Sequence, residues 1–461
     1  MKSIFIFRRD HRLIDNIGLI ETLKNEVIPI FIFDPKQVSN TNKYKSENSI
    51  QFMCESLKDL DGKLRKKGSK LRIYYDAPEK VIDKLLKKHD DISIVAINKD
   101  YTIYSKERDQ KIQKICNKYE VLFKQYEDYL LYPIGSIMKD SGKPYTIYTY
   151  FYKTALGIRK VIPKPKPNNS RNYLSNKSPK LISSETDLNK MFQKLIPREN
   201  DNIWVHGGRD EAKKIFRNHI PKIRKAYQKT HNIPSKMTTN LSAYIHFGNV
   251  SIRECFYNFG PKNSPLNSQL FWREFYYYMN YYFPKIIGNP YYSKFRKIKW
   301  NNNPKWFSAW KQGKTGFPIV DAGMRQLTQT GYTHNRIRMI VASFIIKDLL
   351  IDWQKAEKFY SRNLVDYSIA VNNGNWQWVA GTSPSSNPYF RVFNPWEQSK
   401  KYDPDCKYIK KYIPELKDVP PKDIHKWSEK YPDYPKIKYQ KPIIDHDKRK
   451  EIYIKELKKI K

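Results

Sequence analysis

The sequence predicts a two-part fold, a parallel α/β sheet followed by an all-helical region, and three observations carry this. Short apolar runs alternate with amphipathic patterns over residues 1–130, as they do where helices cross over between parallel strands. From Trp204 onward strand patterns vanish and helical periodicity remains. Between them, residues 131–200 hold the alternating Pro163, Pro165 and Pro167 and a polar, aperiodic stretch, which reads as an interdomain connector. The expected division is therefore 1–130, 131–200 and 201–461.

In order, the expected strands are 4–7, 27–33, 71–75, 92–97 and 121–123, with helices near 49–66, 79–88 and 105–119. No GxGxxG follows the first strand, so this Rossmann-like sheet lacks the dinucleotide fingerprint. The strand leads instead into Arg8, Arg9, Asp10, Arg12, Asp15 and Asn16. A charged loop at the carboxyl end of a strand suits a ligand, and it suits contact with a second domain equally well. The connector is expected to be semi-rigid in its Pro-rich part and loose over 168–184. In the helical region, turns fall at Gly207-Gly208, Gly248, Gly288, Gly313 and Gly331, and 448–461 reads as a short basic amphipathic helix or a frayed end.

Charge narrows the partner. With 86 Lys+Arg against 46 Asp+Glu, the chain carries net +40, which favours a polyanion, most simply nucleic acid. The lysines are spread throughout, so part of this charge also serves as ordinary soluble surface. Cys54, Cys116, Cys255 and Cys406 are scattered without CxxC spacing, which argues against a zinc or iron–sulfur site and fits a reducing compartment. The chain opens on a strand pattern, not a signal peptide, and no apolar run reaches membrane-span length. A soluble intracellular monomer is expected, in cytoplasm or nucleus.

The stretch 331–378 organises the rest. Ile337, Ile340, Val341, Phe344, Ile345 and Leu349 recur at helical spacing, predicting one buried helix over 336–353. It carries Asn335, Arg336 and Arg338, and the following segment adds Asp366, Asn372 and Asn373 beside Trp376 and Trp378. Buried polar groups need partners. Arg338 and Asp366 are suited to pair, and the amides and indoles to a planar hydrogen-bonding ligand. A Trp-rich core with a structural ion pair accounts for the same residues.

Seven stretches in order carry a resemblance: FRRDHRLIDN (7–16), NKDYTIYSKERD (98–109), TTNLSAYIHFGNVS (238–251), QLFWREFY (269–276), GKTGFPIVDAGMRQL (313–327), HNRIRM (334–339) and NNGNWQW (372–378). The chain resembles the DNA photolyase/cryptochrome family along essentially its whole length, and most of all the class I cyclobutane pyrimidine dimer photolyases. The resemblance implies FAD held in the helical domain and light-driven electron transfer from reduced FAD to a pyrimidine dimer flipped out of DNA.

Site residues follow from it. Thr238, Thr239, Asn240, Leu241 and Ser242 match the loop that holds the FAD phosphates, with Asn240 where the family usually has Arg. Tyr227 is a further FAD contact, Asn372 faces flavin N5, and Arg338 and Asp366 form the ion pair against the ring. Ser368 stands where the family has a second aspartate. Trp376, Trp353 and Trp300 match an electron-hopping triad, although each is equally suited to packing. Gln269, Trp272, Asn335, Met339 and Trp378 form the lesion pocket, and Arg336 and Arg391 contact phosphate. A folate or deazaflavin antenna is implied in some members; Ser105 replaces the glutamate of the folate users.

Two alternatives stay beside dimer repair: (6-4) photoproduct repair and a cryptochrome-type blue-light receptor without repair. The (6-4) enzymes carry paired histidines where this chain has Asn335 and Met339, and their chemistry needs a proton-donating imidazole. His334 is displaced by one residue and is expected to point elsewhere. Gln269 favours the opposite reading, since the dimer enzymes have Glu there. Asn372 and the lack of a long C-terminal extension speak against the plant-type receptors.

Overall fold

The computed structural model describes residues 1–386, 388 and 390–460. Its N-terminal sheet has the order β5-β4-β1-β2-β3-β6, with β1 Lys2–Phe7, β2 Glu26–Phe33, β3 Arg72–Tyr75, β4 Ile92–Asn98, β5 Leu122–Tyr126 and β6 Glu185–Thr186. The first five strands are parallel and β6 runs antiparallel to β3. Successive side chains of a strand point to opposite faces. Phe5, Phe7, Phe31 and Phe33 accordingly pack with Leu57, Leu60 and Leu64 of helix Glu47–Arg65. Ile4, Ile6, Ile28 and Ile30 pack on the other face with Val81, Ile82 and Leu85 of helix Pro78–Lys88. Both faces are covered, which is why the strands read as unbroken apolar runs.

The stretch 168–184 is not loose. Val27 donates its N–H to Asn172 O at 2.9 Å, and Leu174 donates to Val27 O at 2.8 Å. Lys67 donates to Ser170 O at 2.7 Å. Buried Arg72 pairs with Glu185 at 2.9 Å, beside β6. Tyr173, Leu174, Leu181 and Ile182 are buried in the cores on the two faces of the sheet, but they are too few and too irregularly spaced in a polar stretch to show a period. Upstream of it, Leu130, Leu131, Tyr132 and Phe151 belong to the same core as Leu270, Phe271 and Phe275. Glu274, fully buried, accepts the amides of Leu131 (2.8 Å) and Tyr132 (3.2 Å).

The charged loop after β1 joins the two halves. Arg253 bridges Asp15 at 3.0 Å and Asp128 at 2.6 Å, while Arg12 binds Asp128 and Gly248 O. Gly248 sits at φ 68°, and a Cβ there would meet Arg9 O at 2.1 Å. The close approach of the two backbones therefore requires glycine.

Among the described residues no strand follows Thr186. The single helix expected over 336–353 is three pieces: helix Asn335–Ser343, a π-helix Phe344–Asp348, and helix Trp353–Ser361 capped by Asp352. Leu350 turns the chain at φ 54°, and its carbonyl accepts Asn301 N–H at 2.8 Å. Apolar spacing continues across this break because both sides face one core, and no Gly or Pro marks it. The C-terminal segment forms helix His446–Lys458, whose Arg449 donates to Asp348 O at 2.7 Å.

Candidate functional site

Helix Pro265–Tyr282 and helix Ile369–Ala380 pack closely enough that a Cβ on Gly374 would meet the Tyr276 ring at 2.1 Å. With helix Asn335–Ser343 they enclose a cavity of about 520 Å³, a size suited to a cofactor. The five residues Thr238 to Ser242 line one side of it. Asn240 adopts φ 51°, which lifts the backbone just before helix Ser242–Phe247. Thr238 Oγ lies 3.5 Å from the Tyr332 hydroxyl, and Tyr227 completes this end.

The expected ion pair is present: Arg338 Nη2 stands 3.1 Å from both Asp366 oxygens, and its Nε donates to Thr333 O at 2.9 Å. Asn372, also on the wall, donates its amide to Glu357 Oε1 at 2.7 Å. That bond fixes the amide with its N–H₂ turned to Glu357, leaving the carbonyl oxygen for the cavity. Burial pushes the Glu357 carboxyl up to about 7, opposed by the bond from Asn372. Ser368, where the family has a carboxylate, shares a 2.9 Å hydrogen bond with Tyr277 OH.

The mouth of the cavity holds the residues expected for the lesion. Trp272 stacks on Tyr148 with centroids 3.5 Å apart and planes 9° from parallel. Gln269 is exposed and donates to Pro265 O at 3.3 Å, and Asn335 Nδ2 lies 3.8 Å from Met339 Sδ. Trp378 is half-buried on the same wall.

His334 corrects an expectation. It does line the cavity, as the N-cap of helix Asn335–Ser343, with Nδ1 accepting Arg336 N–H at 3.1 Å. Burial, with Arg336 and Arg338 nearby, pushes its pKa down to about 4. It is a neutral imidazole whose buried Nε2 makes no hydrogen bond. His246 Nδ1, on the same lining, is also buried without a partner. Unpaired buried polar atoms around a cavity fit a polar ligand.

Of the tryptophans, Trp376 is on the cavity wall; Trp353 is 1 % exposed and Trp300 half-buried, and neither lines the cavity. The backbone next to Trp300 is stitched to the turn before Trp353 through Asn301 and Leu350 (2.8 Å) and through Asn302 and Asp352 (3.1 Å). Arg336 and Arg391 also lie outside the lining. Arg336 is bonded to Asn232 at 2.7 Å and stacked over Tyr402, so it is committed to a protein contact. Arg391 is exposed.

A second cavity of about 230 Å³ opens at the carboxyl ends of the strands, lined by Arg8, Arg9, Asp34, Tyr104, Arg108 and Tyr367 among others. Ser105 is buried against Thr102 at 2.8 Å and does not line it. Sequence reasoning missed Glu357 and Tyr148. Glu357 lies among charged residues in WQKAEKFY, which read as a solvated helix face. Tyr148 lies far from Trp272 in sequence. No spacing rule reaches either.

Known proteins share this architecture. Residues 3–169 match the family model for DNA photolyase, and residues 266–459 match that for the FAD binding domain of DNA photolyase. A deoxyribodipyrimidine photo-lyase of Buchnera aphidicola is 35% identical, with 96% of this chain and 94% of that protein aligned. The archaeal photolyase of Sulfolobus tokodaii, solved with two FAD molecules, is 37% identical, with full coverage of both chains and a TM-score of 0.88. A class III photolyase of Agrobacterium tumefaciens is 30% identical, covers 100% of this chain and 97% of its own, and has a TM-score of 0.90. By whole-length identity and by both of its family models, the chain belongs to the DNA photolyase family.

Proposed function

We propose that this protein repairs cyclobutane pyrimidine dimers in DNA, using light and reduced FAD, with the residue roles that follow. One observation carries the reading: a single cavity has a polar, anion-suited end at 238–242 and an open aromatic mouth at Trp272 and Trp378. Bound and reduced, FAD supplies the light-absorbing electron donor. Thr238, Thr239 and Ser242, with the backbone amides between them, hold its phosphates, and Tyr227 closes over them. Arg338, held by Asp366, would offer the bound ring a fixed positive charge. The Asn372 carbonyl, oriented by Glu357, would offer it a hydrogen-bond acceptor.

At the mouth, Trp272 and Trp378 stack on the flipped bases, Met339 fills the space between, and Gln269 and Asn335 bond the pyrimidine carbonyls. Arg391 meets a DNA phosphate, as the +40 charge favours. Trp376, Trp353 and Trp300 form a path for electrons from the surface to the cavity wall. The second cavity takes a light-harvesting chromophore; the two FAD molecules of the Sulfolobus tokodaii photolyase make a second flavin a choice beside folate or deazaflavin. The protein acts inside the cell as a monomer.

Asn335 and Met339, where the (6-4) enzymes carry histidines, support dimer repair, and the burial of His334 supports it too. A (6-4) adduct needs an acid poised near neutral pH, and an imidazole held down to about 4 is not one. Two defined oligonucleotides, one carrying each lesion, are illuminated in parallel with the reduced enzyme. Dimer repair without (6-4) repair is expected, and Gln269→Glu retains or improves it. Efficient (6-4) repair with no dimer repair would overturn the assignment.

A further inference from the structure

Lys347 lies in the π-helix Phe344–Asp348 and is fully buried. A buried ammonium is costly unless well paired. Its Nζ donates one hydrogen bond, of 2.8 Å, to the backbone carbonyl of Arg391. The ammonium also sits 5.8 Å from the Tyr453 ring centroid. The adjacent Asp348 carboxylate is bonded to His446 through Oδ1 and leaves Oδ2 buried without a hydrogen bond, while Arg449 Nε donates to the Asp348 backbone carbonyl at 2.7 Å. One turn earlier, Ser343 Oγ accepts the N–H of Phe393 at 3.4 Å. Two side chains of one helical face therefore hold residues 391 and 393 from beneath. Above them Phe390 is 58% exposed, and Arg391 is exposed too. This segment follows the helix that carries Trp376 and Trp378, so it lies in sequence just past the cavity wall. The π-turn inserts an extra residue and sets which side chain faces the loop.

We propose that Lys347 is a positioning residue for DNA binding: from inside the core its ammonium fixes the Arg391 carbonyl and holds the 390–393 segment in the shape that meets the DNA backbone. This rests on the reading of Arg391 as a phosphate contact. It also links binding to a proton. Burial and the charge of Arg391 lower the Lys347 pKa to about 7, against the pull of Asp348. A phosphate that neutralises Arg391 removes part of that opposition, so DNA raises the affinity of Lys347 for its proton. By linkage, DNA binds more tightly below neutral pH and more weakly as pH rises through the bound-state pKa.

The test is an anisotropy titration of the FAD-loaded full chain with an oligonucleotide holding one cyclobutane thymine dimer, at fixed salt on either side of neutral pH. Wild type should lose affinity as pH rises. Lys347→Met should raise Kd by about tenfold on the acid side, abolish the pH dependence, and leave FAD content and repair at saturating DNA unchanged. Lys347→Gln keeps an N–H donor without the charge; it should lose the pH dependence with a smaller rise in Kd, and it carries the test if the Met variant does not load FAD. Wild-type Kd and pH profile in either folded variant overturns the proposal, as does a loss of FAD in both, which would mean a general packing role. Arg391→Ala with unchanged affinity and salt slope would overturn the Arg391 contact and with it the proton linkage, whereas a raised Kd in the Lys347 variants would still report the hold of Lys347 on the 390–393 segment.

Discussion

Two arginine–aspartate groups in this molecule differ in burial and in what they face. At the junction between sheet and helices, Arg12, Arg253, Asp15 and Asp128 bind one another and nearby carbonyls. In the cavity, Arg338 and Asp366 are paired just as directly, yet both line open space. Both groups are ionic, but the first is fully buried while Arg338 keeps 27% of its side chain exposed. The first closes on itself, so it has nothing left to offer a ligand and serves to lock two backbones together. The second lines a cavity and stays within reach of a ligand, as a binding site requires.

Breaking the closed group should have the largest effect. Asp128→Ala strands two buried arginines and is expected to cost about 3–5 kcal/mol of stability, read by denaturant unfolding of the protein with and without FAD. A loss that FAD addition fully restores would make the junction part of the cofactor site and erase the contrast.

The next effect is a pH dependence inside the cavity. Burial raises Glu357 from 4.5 to about 7. A carboxyl with a raised folded-state pKa contributes stability that is fully present below 4.5 and is lost as pH climbs through 7. Glu357→Gln removes that titration, so wild type minus variant should fall with pH by on the order of 3 kcal/mol across the window. A flat difference would show that Glu357 stays ionised throughout.

Opening the cavity pair is gentler on the fold. Asp366→Asn keeps the shape but halves the charge balance, and FAD affinity should drop by about tenfold or more while the FAD-free melting point barely moves. Equal losses of stability in both forms would place Arg338 and Asp366 with the structural group.

The smallest change expected in repair itself comes from the tryptophans outside the cavity. Trp300→Phe and Trp353→Phe should slow photoreduction of oxidised FAD and leave repair by chemically reduced enzyme nearly intact. Photoreduction at the wild-type rate in both variants would return the two side chains to packing.

Much of this was legible in the chain. Apolar runs and helical spacing located the five parallel strands, because both report local burial. The motifs around 238–242, 334–339 and 372–378 pointed to residues that share one cavity, with Arg336 left outside it on Asn232. Less legible was the break at 344–352, where a core that surrounds both sides keeps the apolar pattern running through a π-turn and a positive φ.

The sequence by itself determined the two-part architecture, the basic character and a set of candidate residues that the fold gathers around one cavity, since each is written in local pattern or in motif order. Only the tertiary structure decided which polar groups are satisfied. Glu357 orients Asn372 across 15 positions, Tyr148 covers Trp272, and Lys347 reaches the Arg391 carbonyl across 44. Such pairings depend on side-chain direction and burial at the end of folding. No periodicity along the chain encodes them, because the energy of a buried polar group is set by whatever partner the fold brings to it.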